Sequence, residues 1–316
     1  MIEPTYITTT QSSNHDSLVE EIKNGLLAKA PSISPKFLYD SLGSHLFTAI
    51  TLLPEYYPTR TENRLLKVHE DEIAQVMGHN RPLLDLGAGN CQKAESLFSA
   101  VNPSDYIAID ISIDYLKEIL PKLQNNYPHI RMYGLGMDFS SELKIPNALH
   151  TTNANFFYPG SSIGNFSLEE ARTFLQQVKS QINAGGFLIG VDLMKEDRLL
   201  IDAYDDPLKL TSAFNLNILR VVNTCIDSNF DVRDFKHTIK INHTLQRVEL
   251  YLEAIRDSTV RGTSFERTFR CGELIHTEHS HKYSIESIKS LLTSAGFESF
   301  TTWTDPQHFF ALIYAR

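Results

Sequence analysis

Cysteine is scarce in this chain: Cys91, Cys225 and Cys271 are the only three in 316 residues, an odd number at wide spacing with no CxxC pair. That excludes a disulfide framework and a structural zinc site, and fits a reducing compartment. Basic charge is also short. Twenty-nine Lys and Arg against 38 Asp and Glu leave a formal net charge of −9, and no Lys/Arg block occurs that would neutralise a row of phosphates. Nucleic acid and anionic membrane are therefore not expected as partners. No run approaches the roughly 18 apolar residues of a membrane span, and Met1 to Asp16 lacks a basic segment followed by an apolar one. The expectation is a cytoplasmic monomer.

What is present is a globular balance, with 42% hydrophobic and 21% charged residues, enough to bury a core. At about 150 residues per domain the length suits one large domain or two ordinary ones. Helical starts are expected at Ser17 with Glu20 and at Thr59 with Glu62, the second leading through Leu65, Leu66, Ile73 and Val76 to Gly78. Short apolar runs then alternate with helical stripes: Pro82 to Leu86, Tyr106 to Ile109, Ile130 to Leu135, Ala154 to Tyr158 and Phe187 to Leu193. Such runs have the length and two-faced apolarity of buried parallel strands. One crossover helix is clear, capped by Ser167 and Glu170 and striped by Ala171, Phe174, Leu175 and Val178.

Between about Lys195 and Lys282 this alternation lapses into a helical stretch near Leu208 to Val222 and alternating segments such as Val248 to Ala254. A last helix, Ser284 to Ala295, and a last strand, Phe309 to Tyr314, follow. The pattern predicts an α/β fold with a doubly wound, Rossmann-like sheet over 61–195 and 283–316. A second α+β lobe is expected from 1–60 and 196–282.

The first apolar run ends in Asp85-Leu86-Gly87-Ala88-Gly89-Asn90, and Asp110 closes the next run 21 residues after Gly89. Gly87 and Gly89 let backbone approach a ligand, and an acid at that distance binds ribose hydroxyls. A dinucleotide fingerprint needs a third glycine at position 92, where Gln92 stands, so no close packing under a pyrophosphate is provided. S-adenosylmethionine carries no phosphate and needs only the bend and the acid. Asp138 and Phe139, past the third run, suit an adenine amine and ring.

Further motifs carry a family resemblance. Pro35-Lys36-Phe37-Leu38-Tyr39-Asp40, Gly43-Ser44 and Leu53-Pro54-Glu55-Tyr56-Tyr57-Pro58-Thr59-Arg60-Thr61-Glu62 resemble the N-terminal signature of the histidine-specific Nα-methyltransferases of ergothioneine biosynthesis. Pro159 to Asn165, Ala203 to Asp206, Thr211 to Asn215 and Thr277-Glu278-His279-Ser280 are similar to later motifs of that family, in the same order. The resemblance implies a class I methyltransferase that trimethylates the α-amine of L-histidine to hercynine. It implies an amino-acid pocket of Tyr39, Tyr56, Gly160, Ser162, Asn165, Tyr204, Leu250, Glu278 and Ser280, with Tyr56 and Asn165 at the reacting amine. By the same resemblance Gly87, Gly89, Lys93, Asp110, Asp138 and Phe139 hold the cofactor. The chain departs from the family at Asn90-Cys91-Gln92, and at Leu250, where the histidine enzymes tend to carry Met.

Glu278 and Ser280 are two residues apart, so on a strand they share a face, with His279 and His281 on the other. A carboxylate and a hydroxyl converging on an imidazole address both ring nitrogens. A rival metal site from His276, Glu278, His279 and His281 would set Glu278 away from His279 and His281 and lacks a distant Cys/His cluster, so no metal is expected. Two other readings share the motifs: the same chemistry on another amine, and a non-catalytic protein that binds S-adenosylmethionine or an amino acid.

Overall fold

A computed structural model describes residues 3–8, 15–139, 142–147, 149 and 152–316. The chain divides into two compact units, one of Met1–Ser12, Pro58–Met194 and His281–Arg316, the other of Ser13–Tyr57 and Lys195–Ser280.

In chain order the strands are β1 Thr5–Thr8, β2 Leu83–Leu86, β3 Asp105–Asp110, β4 Arg131–Gly136, β5 Asn155–Tyr158, β6 Phe187–Asp192, β7 Phe235–Asn242, β8 Arg247–Ala254, β9 Ser258–Gly262, β10 Phe265–Phe269, β11 Leu274–His281, β12 Phe300–Thr304 and β13 Phe310–Ala315. The α-helices are α1 His15–Leu27, α2 Ser41–Ile50, α3 Tyr57–Val68, α4 Glu70–Met77, α5 Gln92–Val101, α6 Ile113–Asn126, α7 Leu168–Gln181, α8 Asp197–Tyr204, α9 Leu210–Ile226 and α10 Ile285–Ser294. None of the described helices is long and apolar enough to cross a membrane.

The first unit is built on an eight-stranded sheet of order β1-β4-β3-β2-β5-β6-β13-β12. Neighbours run parallel from β1 to β6, and β13 is antiparallel to both β6 and β12. Side chains along a strand alternate between faces, so each buried strand feeds two cores. Leu84, Leu86, Ile107, Ile109, Phe156 and Ile189 pack with Phe174 and Leu175 of α7 and Ile288 and Leu292 of α10. Their neighbours Leu83, Tyr106, Ala108, Phe157 and Leu188 pack with Leu65, Ile73, Leu97 and Leu116 on the opposite face. This is the expected doubly wound α/β sheet. Strand order reverses between β2 and β5, which makes the carboxyl ends of those strands the natural ligand crevice.

In the second unit α9 packs on α1, α2, β7 and β8. Strands β11, β8 and β7 form one small sheet, and β10 with β9 another. Asp40 caps α2 by accepting from Gly43 N at 2.8 Å, and the same oxygen accepts from Asn217 Nδ2 of α9 at 2.7 Å. A Cβ on Gly43 would lie 1.7 Å from the Leu38 carbonyl oxygen, so only glycine fits the Gly43-Ser44 motif.

Several expectations need correcting. Residues 1–60 do not all lie in the lobe, because β1 pairs in parallel with β4 at the edge of the main sheet. A four-residue strand, Thr-Tyr-Ile-Thr, is too short to show a period. Ser17 lies inside the first helix, His15–Leu27, among the described residues. The second starts at Tyr57 and breaks at His69, so Glu62 is not a capping residue but lies inside α3, fully buried. The Ser167–Glu170 capping box is present as read, with both reciprocal bonds formed.

Candidate active site

The first unit presents its residues from strand ends. After β2 the chain turns through Gly87 and Gly89, whose φ angles of +70° and +51° favour glycine. Gly87 N and Ala88 N donate to the Ile109 carbonyl at 2.8 and 3.1 Å, which pins the bend to β3. A Cβ on Gly89 would meet nothing within 4 Å, so the bend is open to a ligand; one on Gly87 would sit 3.8 Å from the Phe139 ring.

At the end of β3, Asp110 accepts from Gly89 N on Oδ2 and from Ser112 N on Oδ1, both at 2.9 Å. The Ile111 N–H also acts on this carboxylate, and with about two acceptor sites per oxygen some capacity remains for a ribose hydroxyl. Burial pushes the Asp110 carboxyl above its ordinary range, against backbone N–H groups that pull it down. Asp110 pairs in register with Gly136, so Asp138 and Phe139 follow on the adjacent strand end. The Phe139 ring stands edge-on to Tyr158 at 6.0 Å. An open glycine bend, a carboxylate with spare acceptor capacity and an aromatic wall fit a nucleoside.

Lys93 pairs with Glu62 at 2.6 Å, and Glu62 also accepts from Gly160 N at 2.9 Å. Lys93 therefore ties α5 to the loop after β5 through a buried carboxylate that sequence reasoning took for a cap. In that loop Gly160 and Ser161 are both left-handed, with φ of +80° and +59°, and turn the chain into a single 3-10 turn, Ser162–Asn165. Strain at Ser161 is offset because its Oγ accepts from Asp192 N at 2.8 Å. The Asp192 carboxylate pairs with Lys282 at 2.7 Å, and both side chains are fully buried. These groups bring Gly160, Ser162 and Asn165 to the carboxyl end of β5, beside the Gly87 bend. Beneath the bend, burial pushes the Asp85 carboxyl up to about 7 while the Tyr106 hydroxyl donates to it at 2.8 Å.

The second unit gathers the other predicted residues. Tyr204 donates to Ser280 Oγ at 3.0 Å, and Tyr39 reaches Glu278 Oε1 at 3.5 Å. The Tyr56 ring meets Tyr204 edge-on at 6.2 Å and Phe47 at 6.1 Å, and Tyr39 packs on Phe47 and Phe214. Leu250, fully buried on β8, accepts at its carbonyl from Thr277 Oγ1 at 3.1 Å. Glu278 and Ser280 are both buried. Strict alternation along β11 does not hold, since consecutive Thr277 and Glu278 are both buried and the rings of His276 and His279 stack at 5.5 Å. Among the described residues no group of three or more His, Cys, Asp or Glu is arranged to hold a metal.

A family model described as histidine-specific methyltransferase, SAM-dependent, matches residues 18–316. A histidine N-alpha-methyltransferase of Mycolicibacterium smegmatis is 35% identical over 95% of this chain and 95% of its own length. Its namesake from Mycobacterium tuberculosis is 32% identical over 96% of each chain. Ergothioneine biosynthesis protein 1 of Neurospora crassa is 31% identical over 84% of this chain, which spans 31% of that longer protein.

Proposed function

The chain belongs to the histidine-specific, S-adenosylmethionine-dependent methyltransferase family, and from that premise we propose that it trimethylates the α-amine of L-histidine to hercynine. The observation that carries the reading is the pairing of Glu278 with Tyr39 and of Ser280 with Tyr204, which sets a carboxylate and a hydroxyl on one polar, aromatic-edged patch.

S-adenosylmethionine supplies a methyl group on a sulfonium, so each transfer forms one N–C bond, breaks one S–C bond and leaves the thioether. The protein orients the amine lone pair and excludes water. Gly87, Gly89, Asp110, Asp138, Phe139 and Lys93 serve the donor. Asp110 takes the ribose with the acceptor capacity that its backbone donors, Gly89, Ser112 and Ile111, leave free. Asn165 and Tyr56 orient the acceptor amine, whose proton goes to solvent before each transfer; neither is a strong base that would grip a growing cation. Gly160, Ser162 and Tyr204 hold the amino-acid backbone groups. Glu278 and Ser280 take the two imidazole nitrogens, with Leu250 as the apolar wall. Aromatic rings tolerate the quaternary ammonium product by a cation–π attraction of roughly 0.5 to 2 kcal/mol. An indole acceptor offers the Glu278 carboxylate only a neutral N–H, where an imidazole can offer a charge-assisted one. The enzyme acts as a cytoplasmic monomer, a reading supported by its acidic charge and scattered cysteines.

The test is mass spectrometry of the protein with S-adenosylmethionine and an equimolar mixture of the common amino acids. Histidine alone should gain 42 Da, about three methylene masses by the chemistry of trimethylation. Methylation of another amine would move the acceptor and leave the donor half standing. Donor binding without methyl consumption would favour a binding protein.

A further inference from the structure

Behind Tyr204 runs a hydrogen-bonded chain that none of these roles uses. Asn215, fully buried on α9, donates from Nδ2 to the Tyr251 carbonyl at 3.1 Å, and the same nitrogen lies 2.9 Å from Nδ1 of His237 on β7. His237 Nε2 lies 2.9 Å from the main-chain carbonyl of Tyr204. The two ends fix the direction of the chain. A peptide carbonyl only accepts, so Asn215 must turn its amide nitrogen to Tyr251, and His237 must carry its proton on Nε2. With the amide nitrogen so placed, His237 Nδ1 faces a donor and has to accept.

Only the neutral Nε2–H tautomer satisfies all three bonds. A proton on Nδ1 would set two donors face to face, and flipping the Asn215 amide would instead press its oxygen on the Tyr251 carbonyl. Tyr204 is the last residue of α8, where carbonyls have no intrahelical N–H to accept from, and His237 supplies that donor.

We propose that His237, locked in this tautomer by Asn215, is a positioning residue that holds the main chain of Tyr204 so that its phenol stays on Ser280. The proposal rests on the reading of Tyr204 and Ser280 as acceptor-binding groups. Burial keeps the imidazole below its ordinary pKa, reinforced by Lys209 and opposed by the Tyr204 carbonyl, Asp205 and Asp206. Across the strand pair His237 faces Leu252, which brings no charge.

The experiment compares the full-length wild type with His237→Leu and His237→Gln. Gln keeps a nitrogen donor near the place of Nε2, and Leu removes it. His237→Leu should raise the KM for histidine about tenfold, the larger end of one lost hydrogen bond, with kcat and S-adenosylmethionine affinity held, and His237→Gln should recover most of the loss. Nitrogen-15 NMR of the wild type should show His237 as Nε2–H at neutral pH. An unchanged KM in His237→Leu, or equal losses in Leu and Gln, overturns the proposal. So does an Nδ1–H tautomer, a readout that stands even where a variant fails to fold. A wild type that binds S-adenosylmethionine but leaves histidine unmethylated fails the functional reading itself, and shows this before any variant is made.

Discussion

The two units solve recognition in opposite ways. In the first, the framework of the candidate donor site is backbone: a glycine bend and main-chain N–H groups hold the Asp110 carboxylate at a strand end, and Lys93, Asp138 and Phe139 are set around it. Its partners lie close in sequence, Gly89 and Asp110 only 21 residues apart, because neighbouring parallel strands bring their ends side by side. In the second unit the candidate acceptor site is side chains, joined over 239 residues for Tyr39 and Glu278 and 76 for Tyr204 and Ser280. A backbone site is inseparable from its sheet, so it fails with the fold. A side-chain site changes one residue at a time, so specificity can shift there without disturbing donor binding.

The harshest way to test the first half of that contrast is Lys282→Met. It leaves the Asp192 carboxylate buried without its ammonium, a change worth about 3 to 5 kcal/mol, and Asp192 N is the group that holds Ser161 in its left-handed turn. The denaturant midpoint should fall with an unchanged slope, and donor affinity with it. Wild-type stability would mean that the strand ends are anchored by other contacts. Next in size is Asp110→Ala, which removes charge-assisted hydrogen bonds and should weaken S-adenosylmethionine binding by about 10- to 100-fold in calorimetry. The KM for histidine should stay near wild type; a parallel rise would break the division of labour.

The same contrast explains what could be read from sequence. The strands β2 to β6, the glycine bend and Asp110 follow from short-range pattern: apolar runs, glycines and a fixed spacing. Glu62 was misread because Thr59-x-x-Glu62 satisfies the capping pattern equally well, and only the fold shows it buried beneath Gly160 and Lys93. β1 escaped because four residues are too few to show a period, and its pairing with β4 joins residues 128 apart in the chain, Thr5 with Tyr133. Glu278 and Ser280 were found through a resemblance, since spacing alone gives a polar strand end. Asn215 lies in a motif of the resemblance, but its pairing with His237 had no signal: the two sit on a helix and a strand whose packing decides which atoms meet.

Glu278→Ala is the matching test of the second half. It should raise the KM for histidine about tenfold, the cost of one charge-assisted bond at its lower end, and leave donor affinity alone. Tyr39 would keep its packing on Phe47 and Phe214, so the loss should appear without a drop in thermal stability. Comparable histidine turnover in this variant would remove Glu278 from the pocket and leave Ser280 with Tyr204 as its polar edge.

The smallest effect expected comes from Leu250→Met, the change toward the residue that the histidine enzymes tend to carry. Leu250 is fully buried, faces Ile239 across the strand pair, and has its main chain held by Thr277. Leu and Met are close in volume, so the swap should cost less than about 1.5 kcal/mol and move the KM for histidine by a few-fold at most. Methionine gains a flexible, polarizable thioether, so the direction of any shift should be toward broader acceptance of other side chains, measured on the same amino-acid mixture. A large loss for histidine instead would mean that the apolar wall, not the Glu278 and Ser280 edge, sets the choice of acceptor. In that case the second unit would resemble the first, with recognition carried by the shape that the sheet imposes.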